Sequence, residues 1–225
     1  MKIYKPYATV RNNYIHDNKM AGILIVSTNN SMIVGNEIEL NGTCGKSCNK
    51  SGEQEVSPKN AHGIYISDYL CRGANNNVIR NNVIKNHPGM GINFNGSFCD
   101  TKIDGTVVEG NELINNAWGM AMFYNVRHSR ISKNRFSTSS HPVTNHSDFV
   151  HIGIWGSPSN SIHKNVFIST LSDYEPLTVY DKDSEHQEVD YNSWTTSSES
   201  WVWGGETQTS FSTKYKEVTG WYTHG

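Results

Sequence analysis

His62, Tyr65, Lys59 and His151 are the side chains of this sequence best suited to moving protons. An imidazole accepts a proton near neutral pH, a phenol or ammonium gives one, and a lysine or arginine neutralises a carboxylate on the reacting molecule. Lys59, His62, Tyr65 and Arg72 lie close together in the chain. That proximity pairs His62 as base with Tyr65 as acid, and makes Lys59 or Arg72 the carboxylate partner. Asn93, Asn95, Phe123, Trp155 and Tyr180 form a second set: amides that hydrogen-bond to hydroxyls, and flat rings that lie against C–H surfaces. Any one histidine more often sits in a solvated turn than in a site. The case therefore rests on what brings these residues together.

The element that would do so is a repeated phrase: an apolar residue, two variable residues, Asn, one further residue and a second apolar residue. Seven copies run Val10–Ile15, Ile33–Ile38, Ile79–Ile84, Val108–Leu113, Ile131–Phe136, Ile162–Phe167 and Val189–Trp194. Their asparagines, Asn13, Asn36, Asn82, Asn111, Asn134, Asn165 and Asn192, are 23, 46, 29, 23, 31 and 27 residues apart. Self-similarity at such spacings marks a solenoid. A second phrase follows most copies: Gly22-Ile23-Leu24-Ile25, Gly63-Ile64-Tyr65-Ile66, Gly91-Ile92-Asn93-Phe94, Gly119-Met120-Ala121-Met122 and Gly153-Ile154-Trp155. Its apolar residues stand two apart, which is strand periodicity. Each repeat thus predicts three short strands in one coil, and coils stacked about 4.8 Å apart share a continuous interior. The repeating Asn is expected at the bend between the first two strands. There it would tolerate left-handed backbone geometry, its amide bonding to the next coil's Asn. An unpaired buried amide would cost about 1–3 kcal/mol.

These phrases resemble right-handed parallel β-helices of the pectate lyase-like superfamily, with their asparagine ladder, over roughly residues 8 to 194. The resemblance implies an all-β, single-stranded right-handed parallel β-helix of about seven coils. It also implies that saccharide lies on the face formed by the Gly-Ile strands. It does not choose a reaction, because the superfamily holds lyases, hydrolases, epimerases, phage tailspikes and adhesins. The paired Asp and Gly-His-Gly set of polygalacturonases and the Tyr-Gly-x-Asp-Pro-His phrase of mannuronan epimerases are missing. So are the clustered acidic residues that hold calcium in pectate lyases; no cofactor or metal is expected.

Whole-chain quantities agree with a solenoid. Hydrophobic content of 36% and a mean hydropathy of −0.58 are low for 225 residues in one compact globule. A coil exposes much polar turn for each inward residue. A net charge of −2 argues against general attraction to nucleic acid or a membrane surface. No apolar run is long enough to span a bilayer, and no signal peptide opens the chain. It reads as a mature or excised fragment, with N-terminal coils expected to be missing. Cys71 and Cys99 each lie eight residues after a repeat glycine, Gly63 and Gly91. Neighbouring coils bring such positions within disulfide range. Cys44 and Cys48 form a second candidate pair, and disulfides favour a secreted protein.

Two excursions, 41–60 and 137–148, leave the coils at the same corner, before the Gly-Ile strand. They are expected to stand as walls on either side of coils three and four, with His62 and His151 at the mouth of the face. Alternation turns Leu24, Tyr65, Ser67, Asn93, Asn95, Ala121, Phe123, Trp155 and Tyr180 outward. From Thr195 the phrase dissolves, and 195–225, with a short helix over 212–218, reads as a cap or strap of the same domain as 1–194. Asp68, Asp100, Asp104 and Asp148 are scattered, which leans against the paired carboxylates of a hydrolase. The leading expectation is a lyase-like enzyme on an acidic, uronate-containing polysaccharide. Its rivals are a non-catalytic glycan-binding module, such as a tailspike or adhesin fragment, and a glycoside hydrolase. Leu24 and Val26, outward on the first coil, leave monomer and homotrimer both open.

Overall fold

Three-residue strands hold no core alone, so each coil depends on the ones above and below. The computed structural model describes residues 1–44, 55–56, 61–142, 149–181, 184, 187–196, 201–203 and 206–208. In it the chain winds as a right-handed parallel β-helix with three sheets. Sheet B holds Thr9–Arg11, Met32–Val34, Val78–Arg80, Val107–Glu109, Arg130–Ser132, Ser161–His163 and Glu188–Asp190. Sheet C follows it around each coil with Tyr14–His16, Glu37–Glu39, Val83–Lys85, Glu112–Ile114, Arg135–Thr138, Val166–Ser169 and Ser193–Thr196. Sheet A carries the Gly-Ile strands: Lys2–Ile3, Ile23–Val26, Ile64–Ser67, Met90–Asn95, Trp118–Phe123, Phe149–Trp155, Tyr174–Val179 and Trp201–Trp203. These pairings are parallel, and Glu206–Gln208 then turns back antiparallel along Trp201–Trp203. The coil pattern therefore runs past Thr195, where the phrase itself fades. The segments 209–225 and 143–148, and with them the expected short helix, lie outside the described residues.

Register fills the interior in files. Ile33, Ile79, Val108, Ile131 and Ile162 stack along sheet B. Ile38, Ile84, Leu113, Phe136 and Phe167 do the same along sheet C. Ile25, Ile66, Phe94, Met122, Ile154 and Val179 continue the interior on sheet A. Each fully buried aliphatic or aromatic side chain contributes about 1.5–3 kcal/mol.

The asparagine column is continuous. Nδ2 of Asn13, Asn36, Asn82, Asn111, Asn134 and Asn165 donates to Oδ1 of the next Asn in the file at 2.9–3.1 Å. The same oxygens accept the backbone N–H of the preceding Asn. One expectation is corrected: the left-handed conformation belongs to the residue before the ladder Asn. Asn12, Gly35, Asn81, Gly110, Lys133, Lys164 and Tyr191 all have φ between 51° and 66°. That leaves the ladder amide free to point inward.

The other two corners carry polar files of their own. Before sheet A, Asn18, Asn41, His87 and Asn116 are linked side chain to side chain. Between sheets A and B, Asn77, Asn160 and Gln187 accept from backbone N–H groups of adjacent coils, as in Ser31 N–H to Asn77 Oδ1 at 2.9 Å. Cys71 and Cys99 form a disulfide with Cα atoms 5.4 Å apart, joining the turns that follow two neighbouring sheet A strands. Cys48 lies outside the described residues, so the second pairing does too.

Candidate functional site

Sheet A faces outward with two registers of side chains. One runs Leu24, Tyr65, Asn93, Ala121, Gly153, Thr178; the other Val26, Ser67, Asn95, Phe123, Trp155. Leu24, Val26, Tyr65, Ser67, Asn93, Asn95, Ala121, Phe123 and Trp155 lie outward as alternation predicts, but outward is not exposed. Ser67, Asn93, Ala121 and Val26 are buried by neighbours on the same face.

His62 and Tyr65 come together as expected, their rings edge-to-face at 5.2 Å. His62 is only 3% exposed. Its Nδ1 accepts the backbone N–H of Met90 at 3.2 Å, and its Nε2 lies 3.1 Å from Nδ2 of Asn93. Nδ1 must therefore hold a lone pair, and the neutral ring carries its proton on Nε2. Proton balance then turns the Asn93 amide so that Oδ1 receives Nε2–H. With Nδ2 facing the ring instead, Oδ1 is a buried acceptor without a partner. In this state His62 has no lone pair to offer as a base. Tyr65 is half-buried, its hydroxyl oxygen accepts from Asn95 Nδ2 at 3.3 Å, and burial raises its pKa. It stays protonated at neutral pH, which suits an acid and not a base. Asn95 closes its own turn by accepting the Ser97 N–H at 3.0 Å.

His151 does not stand at the mouth of the face. It is 1% exposed and packs against Phe136, Phe167 and Tyr174, with ring centroids 4.9–5.9 Å away. Burial depresses its pKa to about 3, only partly offset by a bond to the backbone of Ile168. The reason is local: the strand shifts phase at the corner it shares with Gly119, so Val150 faces out with Trp118 while His151 turns in. Lys59 lies outside the described residues, as do most of the two excursions expected to form walls. Arg72 is exposed beside the Cys71–Cys99 bridge.

The remaining nominated rings gather farther along the face, around Trp118, which the sequence reading leaves unassigned. Trp118 stacks on Tyr180 at 5.7 Å and 6°, and Tyr180 stacks on Trp155 at 4.2 Å and 8°. Phe123 leans on both tryptophans. Trp118 fits because Gly153 has no side chain: a Cβ there would fall 2.6 Å from Cζ3 of the indole.

An open cleft of about 320 Å³ lies on the first coils instead, lined by Lys2, Tyr4, Leu24, Val26, Tyr65, Ser67, Tyr69, Leu70 and Phe98. A smaller hollow of about 240 Å³ adjoins it through Lys2, Leu24 and Tyr65 and reaches Lys19. The described wall of the cleft is the pair of turns joined by the disulfide. Tyr69 meets Phe98 edge-to-face at 5.3 Å, and both are well exposed, at 63% and 48%. Buried Asp68 ties these turns, accepting the Phe98 N–H at 3.3 Å and the Thr101 hydroxyl at 3.0 Å. The sequence carries a signal for this wall, since Tyr69-Leu70 and Phe98 directly precede the two equivalent cysteines.

No carboxylate among the described residues lines the cleft. Among the described residues no cluster of three or more His, Cys, Asp or Glu side chains is placed to hold a metal ion, and no helix is long and apolar enough to cross a membrane.

Comparison with known proteins bears on the fold. The family model described as "Right handed beta helix region" matches residues 1–136. No curated protein matches the chain significantly. Among solved structures, trypsin-treated QnrB1, a plasmid-mediated fluoroquinolone resistance protein, aligns over 98% of this chain and 99% of its own, with 8% identity and a TM-score of 0.22. A score of that size carries no argument about this chain.

Proposed function

The chain belongs to the right-handed β-helix region family, and from that premise we propose that it binds an acidic saccharide chain on the outer face of sheet A. The observation that carries this reading is the cleft on the first coils. Tyr65, Tyr69 and Phe98 present ring surface and edges beside Lys2, with Ser67 at the floor. Aromatic rings suit the C–H faces of sugars, and an ammonium at the rim of the cleft favours a carboxylate-bearing unit over a neutral one. The volume suits one or two sugar rings, so a longer chain would extend toward Lys19. The Cys71–Cys99 bridge beside the cleft supports an extracellular setting.

Calorimetric titration with oligouronates and with neutral oligosaccharides of equal length tests the reading. Saturable binding of the acidic series, weakened by salt, is the expected result. Absence of binding to every oligosaccharide tried would remove it.

Elimination at the same place is a second reading, favoured by the His62–Tyr65 contact. Tyr65 would protonate the leaving oxygen. The base would have to be a group other than neutral His62 with its proton on Nε2. Appearance of unsaturated product, lost in Tyr65→Phe while binding persists, would establish it. Unchanged turnover in that variant would exclude Tyr65 as the acid.

A further inference from the structure

The corner ahead of sheet A uses an unusual member in its polar file. Asn18 Nδ2 donates to Asn41 Oδ1 at 2.6 Å, and Asn41 and Asn116 flank His87 from coils two and four. An amide is donor and acceptor at any pH, whereas an imidazole is both only while neutral. The amides on either side are fixed by other bonds. Asn41 Nδ2 donates to the Ile15 carbonyl at 3.1 Å, and Asn116 Nδ2 donates to the Ile84 carbonyl at 2.9 Å. Asn116 therefore shows His87 an oxygen, 2.9 Å from Nδ1, which must carry a proton. Asn41 shows it an N–H, 3.3 Å from Nε2, which must carry a lone pair. The neutral ring is satisfied at both ends, and the backbone N–H of His87 joins the same Asn116 oxygen at 3.1 Å.

We propose that His87 makes this corner an acid-sensitive joint, in which uptake of one proton at Nε2 breaks the link between coils two and three. The added N–H would point at the amide hydrogens of Asn41, two donors face to face. Asn41 cannot turn without giving up both Ile15 and Asn18. Gly63 makes room for the ring, since a Cβ there would meet His87 Cε1 at 3.1 Å.

The surrounding charges oppose this only weakly. Glu39, on coil two, attracts an imidazolium, but its carboxylate is already held by Lys85, Asn86 and Tyr14. Asn41, Asn116 and Gly63, which lie against the ring, carry no charge. His62, near the same corner, binds Met90 and Asn93. Burial dominates and lowers the His87 pKa to about 4, against the raising effects of the Asn116 bond and Glu39. A histidine whose folded pKa lies below its unfolded value, about 6.5, leaves the fold at full strength above that value. Stability is then lost as pH falls toward 4, and the loss is complete below it.

The test is an ¹⁵N NMR titration of the whole chain from neutral pH into acid, following the His87 ring nitrogens and the amides of Gly63 and Asn116, alongside His87→Asn. The expected result is a protonated Nδ1 and bare Nε2 at neutral pH, with protonation delayed until about pH 4. The corner amides should lose protection in the same step. In His87→Asn they should keep it through that range, because an amide restores the file. A neutral-pH proton on Nε2, titration at the ordinary histidine value, or loss of corner protection at the same pH in both proteins would overturn the proposal. Should the variant fail to fold, the wild-type ring titration alone decides.

Discussion

On the first coils the rings facing out of sheet A stand apart around a cleft; on coils four to six they lie against one another and close the surface. Both regions share one backbone register, so the difference comes from the side chains between the rings. Along the central outward file, Leu24, Tyr65 and Asn93 are large, whereas Ala121, Gly153 and Thr178 are smaller. The small residues leave a trough, and Trp118 folds into it, carrying Tyr180 and Trp155 with it. No such trough exists lower down, and Tyr69 and Phe98 remain exposed on their turns. An outward aromatic on a β-helix thus becomes solvent-facing or self-packed according to the size of its neighbours in register.

The largest test of this contrast is Trp118→Ala. Removing a nearly buried indole should cost about 3–5 kcal/mol in denaturant unfolding, while saccharide affinity at the lower cleft stays unchanged. A loss below about 1 kcal/mol would mean that the stack is ornamental and the two regions are alike. Acid should also act on the sealed region, through His151. Its pKa is lowered to about 3 by burial, so stability is full above the ordinary histidine value and falls progressively as pH drops toward 3. His151→Leu should flatten that part of the pH–stability profile, and a profile that keeps its slope would refute the assignment.

The cleft should respond in the opposite manner. Tyr69→Ala is expected to leave stability within about 0.5 kcal/mol, as for an exposed turn residue, and to weaken oligouronate binding about tenfold, the equivalent of roughly 1.4 kcal/mol. Equal losses of stability and affinity would show the ring to be packing instead. The smallest effect belongs to Lys2→Gln, a few-fold loss confined to acidic ligands and vanishing at about 1 M salt, where the screening length is near 3 Å. Calorimetry at two ionic strengths separates it from a general loss of fit.

Much of the architecture is legible in the sequence. The seven Asn phrases have fixed internal spacing, so the ladder, the three strands per coil and the pairing of Cys71 with Cys99 follow from counting. The other two corner files were not readable. Turn lengths vary there, and the file members change type, from Asn41 to His87 to Asn116, or from Asn160 to Gln187. The inward turn of His151, expected at the mouth of the face, was not readable either, because a corner between sheets resets the phase of the strand that crosses it.

The linear code therefore specified which residues stack on which, since identical coils at one rise leave no choice of partner once the repeat is set. Which surface remains open was settled only in three dimensions. Whether a ring meets solvent or another ring depends on residues about thirty positions away, such as Gly153 beneath Trp118, brought into contact by the winding of the coil. The protonation state of His87 is decided the same way, by two amides from different coils whose orientations are held by carbonyls of still other strands.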